Sequence, residues 1–183
     1  LSIIDLSVNA RQPLTSFNRD VCAVVNGEIY NYKDLAKELL ARGHQFKSDS
    51  DSEVVLHGFR EWGNGVFSKL RGMFAVGVFD HKERQLILAR DGLGIKPLYY
   101  SECSKTTIFS SEIGSLLGSD LLDRKINHGA LTTYLFLGYA SQNVNLVDGI
   151  KSVPPGSILT VSDTGIQEQT FWKFPSECTS NSL

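Results

Sequence analysis

Val21-Cys22-Ala23-Val24-Val25-Asn26-Gly27-Glu28-Ile29-Tyr30-Asn31-Tyr32 is the stretch on which the fold turns. Its first residues form a short apolar run, the pattern of a fully buried strand. The run is far shorter than the roughly 18 to 20 residues that cross a bilayer. Asn26-Gly27 is a common turn dipeptide and closes the run. Asn31 is a candidate N-cap for a helix that carries Leu35, Ala36, Leu39 and Leu40 on one side and stops at Gly43. The local order is strand, glycine turn, helix.

Downstream, Ser50-Asp51-Ser52-Glu53 has the capping-box spacing ahead of Val54, Val55, Phe59 and Trp62, so a second helix is expected to end near Gly63. Residues 74–80 are almost continuously apolar and turn through His81-Lys82-Glu83-Arg84 into 86–89, the pattern of a buried hairpin. Further strands are expected at 98–100 and 108–109, flanking a polar turn over 101–107. Short helices follow at 113–117 and at 128–137, the latter between Asn127 as cap and Gly138 as stop. A last hairpin pairs 157–161 with 166–170. Upstream, Leu1-Ser2-Ile3-Ile4-Asp5-Leu6 reads as another strand, and 176–183 is polar and aperiodic. Strands precede, separate and follow the helices, which favours an α+β domain over an alternating α/β fold.

The chain has 183 residues, about one domain's worth with a short appendage. At 42% hydrophobic and 21% charged residues it has the composition of an ordinary globular domain, which excludes disorder for most of it. A net charge of −2 without a dense Lys/Arg cluster leaves no basic face for nucleic acid or anionic lipid. Cys22, Cys103 and Cys178 are too scattered for a zinc site or a disulfide scaffold, so no metal is expected and a reducing cytoplasm fits best. The chain begins inside an apparent strand, with neither an initiator Met nor a signal peptide, and reads as a fragment.

Three stretches hold more glycine and polar residues at strand ends than packing requires: 26–32, 50–53 and Arg90-Asp91-Gly92-Leu93-Gly94-Ile95-Lys96-Pro97. Each also has a plain structural explanation: a turn, a first-turn acid complementing a helix dipole, and a surface Arg–Asp pair. Their order and wording, together with Leu1 to Leu6, Gln12-Pro13, Arg71-Gly72-Met73-Phe74-Ala75, Leu98-Tyr99-Tyr100 and Ser110-Ser111-Glu112, resemble the class II glutamine amidotransferase domain of the asparagine synthetase family. The resemblance implies an N-terminal-nucleophile hydrolase fold, an αββα sandwich of two mainly antiparallel sheets. It assigns 1–174 to that domain and 175–183 to a linker stub leading to a synthetase domain of the same chain.

What the resemblance implies for function is hydrolysis of glutamine to glutamate and ammonia, the ammonia passing to ATP-dependent amidation of aspartate. By position in the motif, Asn26 and Gly27 form the oxyanion hole, Glu28 helps bind glutamine and Asp51 pairs with its α-ammonium group. Leu1, Ser2, Ile3 and Ile4 match the strand that positions glutamine through its backbone. ATP and Mg2+ are implied only for the synthetase domain, with no cofactor in this one. The family's nucleophile is an N-terminal cysteine whose own α-amine is the base, and a carboxylate-binding Arg belongs immediately before Leu1. The chain as written is therefore expected to be N-terminally incomplete and without glutaminase activity, with an exposed apolar edge favouring self-association into a homo-oligomer. Gly92 stands where family members often carry a basic residue, which is expected to loosen its loop. Two other readings stay open at this stage: a glutaminase domain serving a different acceptor, and a catalytically silent structural or interaction module.

Overall fold

The computed structural model describes residues 10–104, 106–139 and 145–175. The strand expected over 1–6 and the polar tail 176–183 lie outside the described residues. The strand that decides the fold, β2 (Val21–Ile29), runs straight through Asn26-Gly27. The dipeptide is therefore no turn; long-range pairing overrides its local preference. Odd-numbered β2 residues Val21, Ala23, Val25 and Ile29 are buried on one face, while Cys22, Val24, Asn26 and Glu28 on the other are only partly covered, the two-residue period of a pleated strand.

In chain order the remaining elements are β1 (Leu14–Thr15), ahead of β2, then α1 (Tyr32–Ala41), α2 (Glu53–Trp62), α3 (Val66–Lys69), β3 (Gly72–Asp80), β4 (Gln85–Arg90), β5 (Tyr99–Cys103), β6 (Thr106–Ser110), α4 (Ile113–Leu117), α5 (His128–Leu137), β7 (Lys151–Ser152), β8 (Ser157–Ser162) and β9 (Gly165–Thr170). A six-stranded sheet has the order β1-β2-β3-β4-β8-β9 and a three-stranded sheet the order β6-β5-β7. Every strand pairing assigned in them is antiparallel. The register of β2 on β3 places Asn26 opposite Ala75, Gly27 opposite Phe74 and Ile29 opposite Gly72.

Helices α1 to α3 cover one face of the large sheet. Leu35 and Leu39 of α1, Val54 and Val55 of α2 and Phe67 of α3 pack there with Val25, Phe74, Val76, Ile87 and Ile158. Leu39 and Phe67 have no exposed surface, and burial of side chains of this size contributes roughly 2 kcal/mol each. The opposite face meets the small sheet through Ala75, Leu88, Leu159, Leu98, Tyr100 and Val153. Helix α4 lies against β5 and β6 on the outside. The layering is the expected αββα sandwich.

Several local expectations are corrected. Leu40 is 56% exposed, because the buried stripe of α1 follows the i, i+4 pair Leu35 and Leu39 and Leu40 lies a further 100° round the helix. Asn31 does not cap α1 with its side chain. It donates instead to the Lys69 carbonyl at 3.0 Å and accepts from the Arg71 amide at 2.9 Å, tying the start of α1 to the α3–β3 connection. The capping box at 50–53 does not form. Helix α2 begins at Glu53 with Ser52 as N-cap and no side-chain cap bond, and the Glu53 carboxylate turns to the preceding loop. Cys103 belongs to β5 rather than to a turn. Asn127, by contrast, caps α5 as read, accepting from the Ala130 amide at 3.0 Å, and Gly138 ends it.

Candidate functional site

The site is built on the open edge of β2. In an antiparallel strand alternate residues direct their N–H and C=O to the same side, so Val25, Gly27 and Ile29 address one edge. Val25 is taken by the side chain of Gln12, whose Oε1 accepts from the Val25 amide at 2.7 Å and whose Nε2 donates to its carbonyl at 2.8 Å. Ile29 is taken by Asp51, whose Oδ2 accepts from its amide at 2.8 Å. Between them stands Gly27. Its partner Phe74 gives its carbonyl to the Asp91 amide at 2.9 Å and its amide to Asp91 Oδ2 at 3.2 Å, so the Gly27–Phe74 pair exchanges no ladder bonds. The Gly27 N–H thus points outward with no partner among the described residues, about 7 Å from the Val25 and Ile29 amides on either side.

Only glycine fits this position. Its φ is +149°, and a Cβ built there would lie 2.0 Å from the Met73 carbonyl oxygen. Asn26, on the face toward the small sheet, donates from Nδ2 to Ser111 Oγ at 2.9 Å. A primary amide carries two hydrogens, so one remains after Ser111 has fixed the rotamer. A cleft of about 190 Å³ opens beside it, bordered by Gln12, Asn26, Leu98, Phe109 and Ser111. Glu28 is partly exposed on the same face as Asn26.

Asp51 is 6% exposed and lies just ahead of α2, outside the helix's first turn. Glu53, 3% exposed, accepts from the Lys47 and Ser48 amides and the Ser48 hydroxyl, and His57 Nε2 lies 3.2 Å from its Oε1. Burial alone would raise its pKa, but the hydrogen bonds from His57, Ser48 and the Lys47 amide outweigh burial and hold it below the ordinary glutamate value of 4.5. A carboxylate whose pKa is depressed by folding stabilises the fold fully above its unfolded pKa, and that stabilisation is lost as pH falls through the folded value. The chain is therefore expected to keep its urea midpoint from neutral pH down to about 4.5 and to lose stability below it, and Glu53→Gln is expected to flatten that acid limb. An acid limb of unchanged slope in the variant would refute the assignment.

Arg90 and Asp91 are not a surface pair. Asp91 is 1% exposed and accepts from the amides of Phe74, Leu93, Ile95 and Lys96. Arg90 spans the same loop from the other side, donating to the carbonyls of Lys96, Val153 and Gly94 at 2.8 to 3.0 Å. The loop is held rather than loosened at Gly92, where the Trp172 ring comes so close that a Cβ would meet it at 2.6 Å. Together these contacts fix the end of β4 and, through Phe74, the strand behind Gly27.

Asn26, Gly27, Glu28 and Asp51 are thus brought to one edge, whereas Leu1, Ser2, Ile3 and Ile4 lie outside the described residues. Sequence reasoning gave no role to Gln12 or Ser111 beyond quoting them in motifs, and read Asp91 only as half of a surface pair. Gln12 and Ser111 act across sequence gaps that no local pattern encodes, and Asp91 ties its own loop to Phe74, 17 residues back. Cys22 lines a larger cleft of about 880 Å³ between the sheets and lies about 13 Å along β2 from Asn26. Burial pushes its thiol pKa up, away from the reactive thiolate. Among the described residues no helix is long and apolar enough to cross a membrane.

The chain is similar in sequence to parts of several longer proteins. Asparagine synthetase [glutamine-hydrolyzing] 3 of Bacillus subtilis is 36% identical over 180 residues, covering 97% of this chain and 29% of that protein. Asparagine synthetase [glutamine-hydrolyzing] 1 of the same organism is 40% identical over 174 residues, covering 94% of this chain and 27% of that protein. Amidase chry2 of Gibberella zeae is 34% identical over 173 residues, covering 94% of this chain and 25% of that protein. The chain therefore spans less than a third of the length of these relatives. Among solved structures, glutamine phosphoribosylpyrophosphate amidotransferase from B. subtilis superposes with a TM-score of 0.61 at 21% identity, covering 91% of this chain and 33% of that one. It shares the fold. The family model of the glutamine amidotransferase domain matches residues 1–172, and the chain belongs to that family.

Proposed function

We propose that this chain is the glutamine-hydrolysing portion of an asparagine synthetase, binding L-glutamine on the open edge of β2. The observation that carries the reading is the outward Gly27 N–H, flanked by the Gln12 and Asp51 contacts and adjacent to the Asn26 amide. Attack on the glutamine side-chain amide places negative charge on its oxygen. The Gly27 N–H and the second Asn26 hydrogen are fixed donors for that charge, and such donors lower the barrier by about 3 to 4 kcal/mol. The buried Asp51 carboxylate pairs with the α-ammonium group in a charge-assisted hydrogen bond, and Glu28 completes the binding edge.

The nucleophile implied by the resemblance is not supplied by Cys22 or Cys103, each of which lies inside a strand without a free α-amine. In this reading ATP and Mg2+ belong to the acceptor-activating part of the longer protein, to which 175–183 leads, and aspartate is the acceptor. The free thiols of Cys22 and Cys103 support a cytosolic setting. A second reading, a glutaminase portion serving another acceptor, is favoured by the relatives named as amidases.

The test is calorimetric titration of the chain with L-glutamine. Weak binding is expected, with a Kd on the order of 1 mM. Asp51→Asn is expected to weaken it by about tenfold or more, the loss of one hydrogen bond between charged groups. An Asp51→Asn chain that binds glutamine as well as the parent would contradict the assigned role.

A further inference from the structure

Asp51 serves a substrate only if its carboxylate is held at one point on the β2 edge. The groups that hold it lie outside the set that faces the substrate. The segment 42–52 between α1 and α2 has no regular secondary structure, and its shape is set by Glu53. Oε1 accepts from the Lys47 amide at 2.8 Å, while Oε2 accepts from the Ser48 amide at 2.9 Å and the Ser48 hydroxyl at 2.5 Å. Ser48 Oγ in turn accepts from the Ser50 amide at 3.3 Å, and Ser50 Oγ from the Ser52 amide at 3.3 Å. This relay fixes the residues on either side of Asp51, and the Ser52 hydroxyl lies 3.5 Å from Asp51 Oδ1.

Glu53 is itself held. His57, one helical turn on, meets Oε1 through Nε2 at 3.2 Å. An ionised carboxylate has no hydrogen to give, so Nε2 carries the proton. The His57 ring is clamped by Phe46 and His44 at centroid distances of 4.6 and 5.3 Å, and His44 Nε2 is 2.9 Å from Glu61 Oε2. Burying a carboxylate is costly unless it is well paired. Here the carboxylate sits in the first turn of α2 yet spends its acceptor capacity on the loop rather than on the helix's own amides.

We propose that Glu53, fixed by His57, is a positioning residue for Asp51 and sets glutamine affinity without touching glutamine. The proposal rests on the substrate role given to Asp51 above. Glu53→Gln keeps the volume but sets an NH2 group against a loop N–H, donor against donor. His57→Gln retains a donor toward Glu53, whereas His57→Leu removes it.

The experiment is amide hydrogen exchange by NMR on the 183-residue chain, paired with glutamine titration of each variant. Glu53→Gln is expected to reduce protection of the Ile29 amide by about tenfold or more, since each decade is about 1.4 kcal/mol. The Val76 and Val78 amides in the β3–β4 ladder, which report the global stability that ionised Glu53 also supports, are expected to lose clearly less than Ile29, and glutamine Kd to rise by a factor similar to the loss at Ile29. His57→Leu should reproduce this pattern and His57→Gln should largely restore the parent behaviour. Unchanged Ile29 protection in Glu53→Gln would overturn the proposal. So would a loss at Ile29 no larger than that at Val76 and Val78, which would leave Glu53 with its general stabilising contribution and no positioning role. If the parent chain binds no glutamine while Ile29 loses more protection than Val76 and Val78, the positioning of Asp51 stands and the glutamine reading fails.

Discussion

Gly27→Ala is expected to destabilise the chain by roughly 3 to 5 kcal/mol, lowering Tm by roughly 10 °C for a domain of this size. Two costs add. The backbone φ of +149° is one that L side chains rarely adopt, and the new Cβ would lie 2.0 Å from the Met73 carbonyl oxygen and 2.8 Å from the Phe74 Cα. Those atoms belong to the neighbouring strand, which cannot retreat without opening the β2–β3 ladder. Gly165→Ala separates the two costs: φ there is +119° but nothing lies within 4 Å of a Cβ, so only about 1 kcal/mol is expected. Differential scanning calorimetry of both variants decides the matter. Equal, small losses would show that β3 yields at Gly27 and that its close approach is not what demands glycine.

Asp91→Ala is expected to cost roughly 4 kcal/mol in urea denaturation. It strips the acceptor from the amides of Phe74, Leu93, Ile95 and Lys96, and an unsatisfied buried donor costs roughly 1 to 3 kcal/mol, less where the loop can rehydrate. Leu93 and Ile95 are 61% and 55% exposed, so their amides are the ones water reaches most easily. The Phe74 amide lies inside the sheet and bears most of the loss. Asp91→Asn keeps the shape and one acceptor oxygen, and is expected to cost less than half as much. A urea midpoint for Asp91→Ala equal to that of the parent would show that water replaces the carboxylate and that the loop is not organised by it.

These two residues also mark where the sequence is legible and where it is not. Helices α4 and α5 appear at the bounds their local pattern predicts, because caps, stops and side-chain periodicity are encoded within a few residues. The hairpins β3–β4 and β8–β9 follow for the same reason. Asn26-Gly27 misleads because the dipeptide's turn preference is local, while its place inside β2 is decided by pairing with residues 74 and 75. Ser50 to Glu53 matches the capping-box spacing, yet nothing in that spacing tells whether the carboxylate turns to the helix or to the loop before it. Arg90 and Asp91 look like a surface pair because adjacency says nothing of burial.

For the site, residue types alone left turn, dipole and surface readings open at each position. Only the combined wording of distant blocks singled out Asn26, Gly27, Glu28 and Asp51. The contribution of Gln12 depends on a side chain pairing with a strand thirteen residues away, and that of Ser111 on a bond spanning 85 positions. Both are products of tertiary folding and leave no signal in a local pattern.

The most direct test of the account is the amide spectrum of isotopically labelled chain titrated with L-glutamine, read at Gly27. The account predicts that the Gly27 and Ile29 resonances move together with one saturation curve, that the Asn26 side-chain amide moves with them, and that Asp51→Asn shifts all three responses to about tenfold higher glutamine concentration or beyond. Resonances at Gly27 that stay fixed up to the solubility limit of glutamine, or that move identically in Asp51→Asn, would contradict it.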